Sequence, residues 1–220
     1  MQGVDVVEHP AVADRLARLR DAATPGPAFR RLVEEVGVFL AYEATRDLEL
    51  RETTVSTPVG DGRARRLNQR PVVAPVLRAG LGLLPGFLAV VDDAVVAHLG
   101  FFRDPDTLDA VAYYANLPEG LDGTRVFVLD PMLATGHSCA AALDVLAARG
   151  ASAPVFVCVL AAPEGIAHLH ARHPAARIFT AGIDERLNEH GYIVPGLGDA
   201  GDRMFGSASS VPMGYRTRGA

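Results

Sequence analysis

The chain has 220 residues, of which 49 % are hydrophobic, and a formal net charge of −5. This composition predicts an ordinary globular protein with a sizeable core, organised as one large domain. The acidic balance argues against a general nucleic-acid binder, which needs an excess of basic groups. The longest apolar runs have about ten residues, too few for a membrane span, and no secretory signal is visible at the N-terminus.

Two further features of the composition exclude classes of chemistry. The two cysteines, Cys139 and Cys158, cannot provide a disulfide framework or a metal-binding pattern, which indicates a reducing cytoplasm. All 21 basic residues are arginines. Without lysine, the chain cannot form a Schiff base with pyridoxal phosphate, and it lacks the phosphate-binding lysine of ordinary P-loop NTPases.

Apolar residues at helical spacing predict two helices within residues 10–46. The first helix follows Pro10, and the second follows two further prolines. The first stripe consists of Val12, Leu16 and Leu19, and the second of Phe29, Leu32, Val33, Val36 and Leu40. Both helices are expected to pack on the domain or to extend it. The polar residues 61–70 predict a turn or a surface hairpin.

Two apolar, strand-like runs each end in an arginine. Residues 71–77 precede Arg78, and residues 94–102 precede Arg103. Most arginines are solvated surface residues, and that alternative stays open for both. Their position directly after apolar strands favours a second hypothesis, in which two guanidinium groups near a metal ion neutralise a pyrophosphate leaving group.

The segments that follow these two arginines are predicted to be a helix and a hairpin. The helix extends to about Val91, and Pro85 fits in it only near the first turn or at a kink. Residues 104–120 predict a protruding hairpin. Its acidic residues are interpreted as a solvated face, because their spacing differs from that of a calcium loop; they are Asp104, Asp106 and Asp109.

The most informative segment runs from Val126 to Ser138. Four apolar residues lead into Asp130, a turn of small residues follows, and an amphipathic helical run begins. The start of a helix offers free backbone N–H groups and a partial positive charge, which together favour a phosphate. Gly136 permits close approach of a ligand to the backbone, and Thr135 and Ser138 can donate from their hydroxyl groups. Asp130 would then accept hydrogen bonds from sugar hydroxyls or help to hold a metal ion.

Composition alone leaves an ordinary β–α turn about as plausible as a phosphate loop in this segment. A third interpretation is the nucleophile elbow of a hydrolase, because Gly136, Ser138 and Ala140 mimic its spacing. An elbow requires the strand to run directly into the first glycine. Residues 131–135 intervene here, which argues against a hydrolase that uses Ser138.

The C-terminal part continues the alternation and ends in a long aperiodic segment. Strands are predicted at 155–160 and 177–183, with a short helix between them. Residues 184–205 show no period, and five glycines lie between Gly191 and Gly206. Loops of this length in compact domains are usually functional or disordered, and exposed backbone groups suit the edge of a planar base. His190 is either an acid–base group or structural, and residues 207–220 predict a mobile tail.

Alternating apolar strands and helices predict an α/β fold with an open, mainly parallel sheet covered by helices on both faces. Ligands of such sheets bind at the carboxyl ends of the strands. Three of these ends carry Arg78, Arg103 and Asp130, so this edge of the sheet is the expected site.

Six segments resemble the uracil phosphoribosyltransferases, a branch of the type I phosphoribosyltransferase family. The resemblance extends from about Val7 to Gly206, nearly the whole chain. The segments are His9-Pro10, Tyr42-Glu43-Ala44-Thr45, residues 77–82 (Leu-Arg-Ala-Gly-Leu-Gly), residues 130–136 (Asp-Pro-Met-Leu-Ala-Thr-Gly), residues 161–165 (Ala-Ala-Pro-Glu-Gly) and residues 187–205, which contain Gly-Leu-Gly-Asp-Ala-Gly-Asp.

The resemblance implies the reaction of uracil with phosphoribosyl pyrophosphate (PRPP), which gives UMP and pyrophosphate in pyrimidine salvage. Arg78, Arg103 and Asp130 are the implied catalytic residues. The implied PRPP contacts are these three with Pro131, Met132, Leu133, Ala134, Thr135, Gly136, His137, Ser138 and Asp199. The implied uracil contacts are Ile193, Gly198, Asp199 and Ala200.

The resemblance also implies a cofactor and partners. Mg²⁺ is expected to bind mainly through PRPP, with no direct protein ligand assigned. A homodimer or a larger homo-oligomer in the cytoplasm is expected, with GTP as a candidate effector and with neither nucleic acid nor membrane as a partner. Residues 1–206 are expected to form a single phosphoribosyltransferase domain.

The sequence departs from the family pattern at four positions. His137 stands where a second glycine is common, Phe102 replaces a tyrosine, Asn116 replaces a lysine, and Pro85 is unusual in its helix. His137 and Asn116 motivate an alternative hypothesis, in which the protein is a PRPP- or nucleotide-binding regulator that has lost catalysis.

Overall fold

The computed structural model describes residues 3–103 and 110–206. Its N-terminal part consists of β1 (Val4–Val6), α1 (Pro10–Arg20), α2 (Gly26–Ala44), β2 (Leu50–Thr57), β3 (Gly60–Leu67), β4 (Val72–Leu77), a 3₁₀ turn (Ala79–Gly82) and α3 (Leu84–Leu88). The central part consists of β5 (Val95–Val96), β6 (His98–Arg103), β7 (Ala110–Asn116), β8 (Val126–Leu129), β9 (Met132–Leu133) and α4 (His137–Ala147). The C-terminal part consists of β10 (Val155–Ala161), α5 (Pro163–Arg172), β11 (Arg177–Ile183), β12 (Arg186–Leu187), β13 (Ile193–Val194) and α6 (Ala200–Phe205).

The predicted open, mainly parallel sheet is confirmed. Its strand order is β1-β11-β10-β8-β4-β6-β7, with β5 beside β4 and β9 beside β10. The antiparallel pair within it is β6 with β7, and its other pairs are parallel. Two short antiparallel pairs, β2–β3 and β12–β13, lie off the sheet.

Burial on both faces explains why the central strands are continuously apolar. All seven residues of β10 are buried. Val157 packs into the core on the side of α2 and α3, whereas Phe156 packs into the core on the side of α4 and α5. Side chains alternate across a strand, so a central parallel strand needs apolar residues at every position. The two predicted N-terminal helices are confirmed, and α2 packs on the first of these faces.

The prediction of one helix to about Val91 is wrong. The chain forms a 3₁₀ turn, begins α3 at Leu84 and ends it at Leu88. Pro85 stands in the first turn of α3, the position predicted for it, because its ring and missing N–H cannot be accommodated in a helix interior. Gly86 in α3 lies close to α2, since a Cβ there would collide with the carbonyl oxygen of Glu34.

The N-terminal strand and the two hairpins differ from the sequence-based expectation. The strand β1, which sequence analysis did not predict, pairs with β11, and the predicted hairpin at residues 61–70 is the second half of β2–β3. The predicted hairpin at residues 104–120 begins earlier, because β6 is its first strand. Residues 104–109, with their three aspartates, and the predicted tail at residues 207–220 lie outside the described residues. None of the described helices has the length and apolarity needed to cross a membrane.

Candidate active site

The turn after β8 forms a loop that ends at the first residue of α4. Gly136 caps α4 with a φ of 81°, a backbone conformation that glycine adopts without strain. A Cβ at Gly136 would lie 2.8 Å from the carbonyl oxygen of Gly165 in α5. Glycine is therefore required here, and no described side chain caps the N-terminus of α4.

Asp130 follows the last residue of β8, at the carboxyl edge of the sheet. Its side chain is part-buried, and Oδ1 lies 3.4 Å from the backbone nitrogen of Met132. Burial raises the pKa of Asp130 from its ordinary value to about 7; the charge of Asp199 raises the pKa further, and the hydrogen bond from Met132 opposes both. Asp130 thus titrates near neutral pH, which is common for carboxyl groups in functional clefts.

Two adjoining cavities meet at Asp130. The first, of about 180 Å³, is lined by Asp130, Met132, Leu133, Ala134, Thr135, Gly136, Ser138, Cys139 and Gly191. The second, of about 240 Å³, is lined by Ala79, Asp130, Met132, Ala134, Gly191, Tyr192, Ile193, Gly198, Asp199, Ala200 and Gly201. The predicted phosphate loop therefore lines one cavity, and all four predicted uracil contacts line the other.

Within the predicted loop, two residues lie differently from the rest. Pro131 is buried, and its carbonyl oxygen accepts from the backbone nitrogens of Val159 and Leu160 at 2.9 and 3.1 Å. His137 is exposed; its Nδ1 lies 2.9 Å from Oγ1 of Thr135, and its ring packs on that of His168 at 4.5 Å between centroids.

The two predicted arginines follow neighbouring strands. Arg78 comes directly after β4, and one of its terminal nitrogens lies 3.3 Å from Oδ1 of Asp202. The backbone of Arg103 ends β6 three residues beyond Gly100, which pairs with Leu77. At a rise of about 3.3 Å per residue, the backbone of Arg103 lies about 10 Å beyond the end of β4, measured along the strand direction. The side chain of Arg103 lies outside the described part of the structure.

Asp199 caps α6, and its Oδ1 accepts from the backbone nitrogen of Asp202 at 2.8 Å. The family departures at Phe102 and Asn116 are exposed residues of the β6–β7 hairpin. Asn116 pairs with His98, so three strand spacings of about 4.8 Å separate it from β8. His190 is largely exposed and lies 3.4 Å from Glu189, whereas the neighbouring Gly191 lines both cavities.

The segment between β8 and α4 does not have the form of a nucleophile elbow. Residues 130–136 separate the last residue of β8 from the first residue of α4, and β9 lies within them. An elbow is a sharp, direct turn from strand to helix. The geometry matches a ligand-cradling loop instead.

Sequence analysis missed three charged residues behind the second cavity. Arg20 and Asp184 form an ion pair with a shortest distance of 2.5 Å, and Arg203 donates to three backbone carbonyl groups. One signal was present, because Asp184 follows β11 as Asp130 follows β8. Arg20 lies in a helical run with the spacing of an ordinary amphipathic surface helix, and Arg203 lies in the segment without period.

The donor set at these cavities fits a magnesium ion bound mostly by substrate. Among residues 3–103 and 110–206, no group of three or more His, Cys, Asp or Glu side chains could hold a metal ion. Mg²⁺ prefers oxygen ligands and keeps several waters, so one or two carboxylates with substrate phosphates are sufficient. The carboxylates of Asp130 and Asp199 line the cavity and could supply such oxygens.

Comparison with known proteins identifies the family. The family model described as uracil phosphoribosyltransferase matches residues 6–207. The uracil phosphoribosyltransferase of Agrobacterium fabrum is 52 % identical over 208 residues, covering 94 % of this chain and 100 % of the relative. That of Staphylococcus epidermidis is 48 % identical with the same coverage. Among solved structures, the AQ2163 protein from Aquifex aeolicus matches with a TM-score of 0.87 and 39 % identity, covering 94 % of this chain and 100 % of that one. The chain belongs to the uracil phosphoribosyltransferase family.

Proposed function

We propose that this protein transfers the 5-phosphoribosyl group of PRPP to N1 of uracil, giving UMP and pyrophosphate. The observation that carries the proposal is the pair of adjoining cavities that share Asp130. One cavity is walled by a helix start with hydroxyl groups, and the other by backbone of a glycine-rich segment. A ribose that spans the shared edge would place its phosphate in the first and its C1 toward the second.

The loop at residues 131–138 is proposed to bind the 5-phosphate. Thr135 and Ser138 supply hydroxyl donors, and Gly136 leaves room for close approach of the backbone. The first turn of α4 adds backbone N–H groups and the positive end of a helix dipole. The assignment of Pro131 and His137 as PRPP contacts rests on the family resemblance. The ring of Pro131 is buried, and that of His137 packs on His168.

Asp130 is proposed to accept hydrogen bonds from the ribose hydroxyl groups. Arg78 and Arg103 are proposed to bind the pyrophosphate group, whose negative charge grows as its bond to C1 breaks. A terminal nitrogen of Arg78 lies 3.3 Å from Oδ1 of Asp202, so the pyrophosphate group would compete with that carboxylate. When bound, Mg²⁺ supplies further positive charge for the leaving group, and PRPP phosphates together with Asp130 or Asp199 would hold it.

The cavity lined by Ile193 and residues 198–200 is proposed to select uracil. Uracil and cytosine exchange a donor and an acceptor at position 4 and at N3. A mismatched base leaves buried polar groups unpaired, and a site of this kind can discriminate by about 10⁴. Backbone groups of Gly198 and Ala200 are suited to this task because they are fixed by the chain itself.

Electron flow in the proposed reaction needs no strong base. The C1–oxygen bond to pyrophosphate breaks toward the leaving group, and the sugar gains cationic character. The lone pair of uracil N1 then forms the new bond to C1, and the N1 proton leaves to solvent or to pyrophosphate. The absence of a described histidine from the lining of the base cavity is compatible with this order of events.

The direct test is the formation of UMP from radiolabelled uracil, PRPP and Mg²⁺, followed by chromatography. Labelled UMP in stoichiometry with released pyrophosphate is expected. Calorimetric binding of PRPP without turnover would replace the proposal by the regulator alternative.

We also propose that the active protein is a cytoplasmic homodimer or larger homo-oligomer and that GTP alters its rate. The family resemblance supports both statements. Sedimentation velocity would establish the oligomer, and a GTP titration of the initial rate would establish the effector response. A monomer at assay concentration, or a rate unchanged by GTP, would remove the respective statement.

A further inference from the structure

Residues 195–198 form a wall between two cavities. On the front side, Gly198 lines the proposed uracil cavity of about 240 Å³. On the rear side, the whole segment lines a cavity of about 380 Å³ together with Arg20 and Arg203. The wall is thin backbone with two glycines, so groups behind it can set where its front side lies.

Arg20 and Asp184 both form hydrogen bonds with the middle of this wall, at Gly196. Its two terminal nitrogens lie 2.8 and 2.5 Å from the two carboxylate oxygens of Asp184, and one of them also donates to the carbonyl oxygen of Gly196 at 2.9 Å. Asp184 in turn accepts from the backbone nitrogen of Gly196 at 2.8 Å. The backbone donor and acceptor of Gly196 are thus both fixed by one ion pair.

Arg203 holds the next part of the wall to the end of α1. One of its terminal nitrogens donates to the carbonyl oxygens of Leu19 and Leu197 at 2.5 and 2.8 Å, and the other donates to that of Asp21 at 2.6 Å. The guanidinium group stands 4.2 Å from the centre of the Phe29 ring. Arg203, a residue of α6, thus bridges α1, α2 and the wall.

The wall cannot anchor itself with side chains of its own glycines. Gly196 has a φ of 64°, and a Cβ there would collide with the carbonyl oxygen of Ile193. Gly198 has a φ of 79° and faces the base cavity. Leu197 is buried in the core, but Gly196 has no side chain to hold it, and Asp184, at 8 % exposure, provides its hydrogen bond where water competes little.

We propose that Arg20, acting through Asp184, is a positioning residue that sets uracil affinity and base selectivity from behind the site. The inference rests on the proposed function, since it assigns the cause of base recognition in the same cavity. Hydrogen-bond readout of a base tolerates little displacement, and a misplacement of about 1 Å can cost about 10²-fold in rate. Through Arg20, the N-terminal helix α1 contributes to base selectivity, although Arg20 does not line the front cavity.

The test compares Arg20→Met and Arg20→Lys with the control Arg18→Met. Arg18 lies two residues earlier on the same helix; its side chain is 54 % exposed and it pairs with Asp14 at 3.8 Å. We expect the KM for uracil to rise about tenfold in Arg20→Met, with the KM for PRPP changed by no more than about twofold. Arg20→Lys keeps the charge beside Asp184 but loses the fork, so an intermediate rise is expected. The rate with cytosine relative to uracil should rise in the same order.

Several outcomes would overturn the inference. An unchanged KM for uracil in both Arg20 variants, or equal rises in both KM values, would show that the ion pair has only a general structural role. Should Arg20→Met fail to fold, Arg20→Lys carries the same comparison, because it leaves Asp184 with a charged partner. A wild-type protein without activity on uracil would refute the proposed function itself, whereas an active wild type with unaffected Arg20 variants would refute the inference alone.

Discussion

Asp130 and Asp199 line the same cavity, and the negative charge of Asp199 adds to burial in raising the pKa of Asp130 to about 7. Asp130 follows the strand β8, and Asp199 caps the helix α6. Two carboxylates that face one cavity repel each other, and a cationic or hydrogen-bond-donating ligand between them relieves the repulsion. The proposed binding of Mg²⁺ and sugar hydroxyl groups at this cavity would relieve that repulsion.

Replacing Asp130 by Asn should lower turnover by orders of magnitude while the fold is kept. The amide retains the size of the carboxyl group but loses its charge and one acceptor for ribose hydroxyl groups. The measurement is kcat for UMP formation, with circular dichroism as the control for folding. An unchanged rate would remove Asp130 from the mechanism.

The pH dependence of kcat/KM for PRPP should show the ionisation of Asp130. Since kcat/KM reports the free enzyme and the carboxylate is the active form, the value should rise with pH and level off above about 7. Asp199→Asn removes the repelling charge and should move this limb to lower pH. A limb at the same pH in that variant would show that the two carboxyl groups are not coupled.

The raised pKa of Asp130 also makes stability depend on pH. In the unfolded chain the group has an ordinary pKa near 3.8, so between that value and about 7 the folded state binds more protons. The contribution of Asp130 to stability is therefore complete below pH 3.8 and is lost as pH rises through 7. Asp130→Asn does not ionise, so its advantage over the wild type should grow from pH 5 to pH 8, by up to about 3 kcal/mol. Urea unfolding at both values measures it, and a constant difference would contradict the assignment.

Gly165→Ala should weaken PRPP binding by displacing the phosphate loop. A Cβ at Gly165 would lie 2.7 Å from the carbonyl oxygen of Leu133 and collide with that of Ala134. Alanine normally stabilises a helix relative to glycine by about 0.5–1 kcal/mol, so a raised KM for PRPP with a lowered melting temperature would reveal the collision. Gly62→Ala is the matched control, since its nearest neighbour is a methyl group of Thr57 at 3.8 Å. Equal behaviour of the two variants would argue against close packing of α5 on the loop.

His137→Gly should lower the KM for PRPP. Nδ1 of His137 and Oγ1 of Thr135 share a hydrogen bond across 2.9 Å, so the ring engages a hydroxyl group that is proposed to bind the phosphate. Glycine at this position returns that donor to the ligand. Thr135→Val supplies the comparison, because both variants in combination should lose the gain. A KM that rises in His137→Gly would show instead that the imidazole itself binds PRPP.

The sheet and the turn between β8 and α4 could be predicted because local sequence determines them. Strands such as residues 126–129 are apolar on both faces, and the following acid and small residues can belong only to a β–α turn. The family resemblance then linked Asp130 with residues 193–200, which lie far apart along the chain. The structure brings both groups to one pair of cavities.

The ion pair of Arg20 and Asp184 behind the site could not be predicted, because it depends on tertiary contacts. Arg20 and Asp184 are 164 positions apart, and neither residue type nor spacing links them. The helix predicted after Arg78 is divided into a 3₁₀ turn and the short helix α3, and the local spacing of apolar residues does not mark this division.

The most direct test of the account is pyrophosphate release with PRPP and Mg²⁺, in parallel reactions with uracil, cytosine, hypoxanthine, guanine and orotate. The account predicts release with uracil alone, together with an equal amount of UMP. Release with a purine or orotate but not with uracil, or silence with every base in a folded protein that binds PRPP, would contradict it.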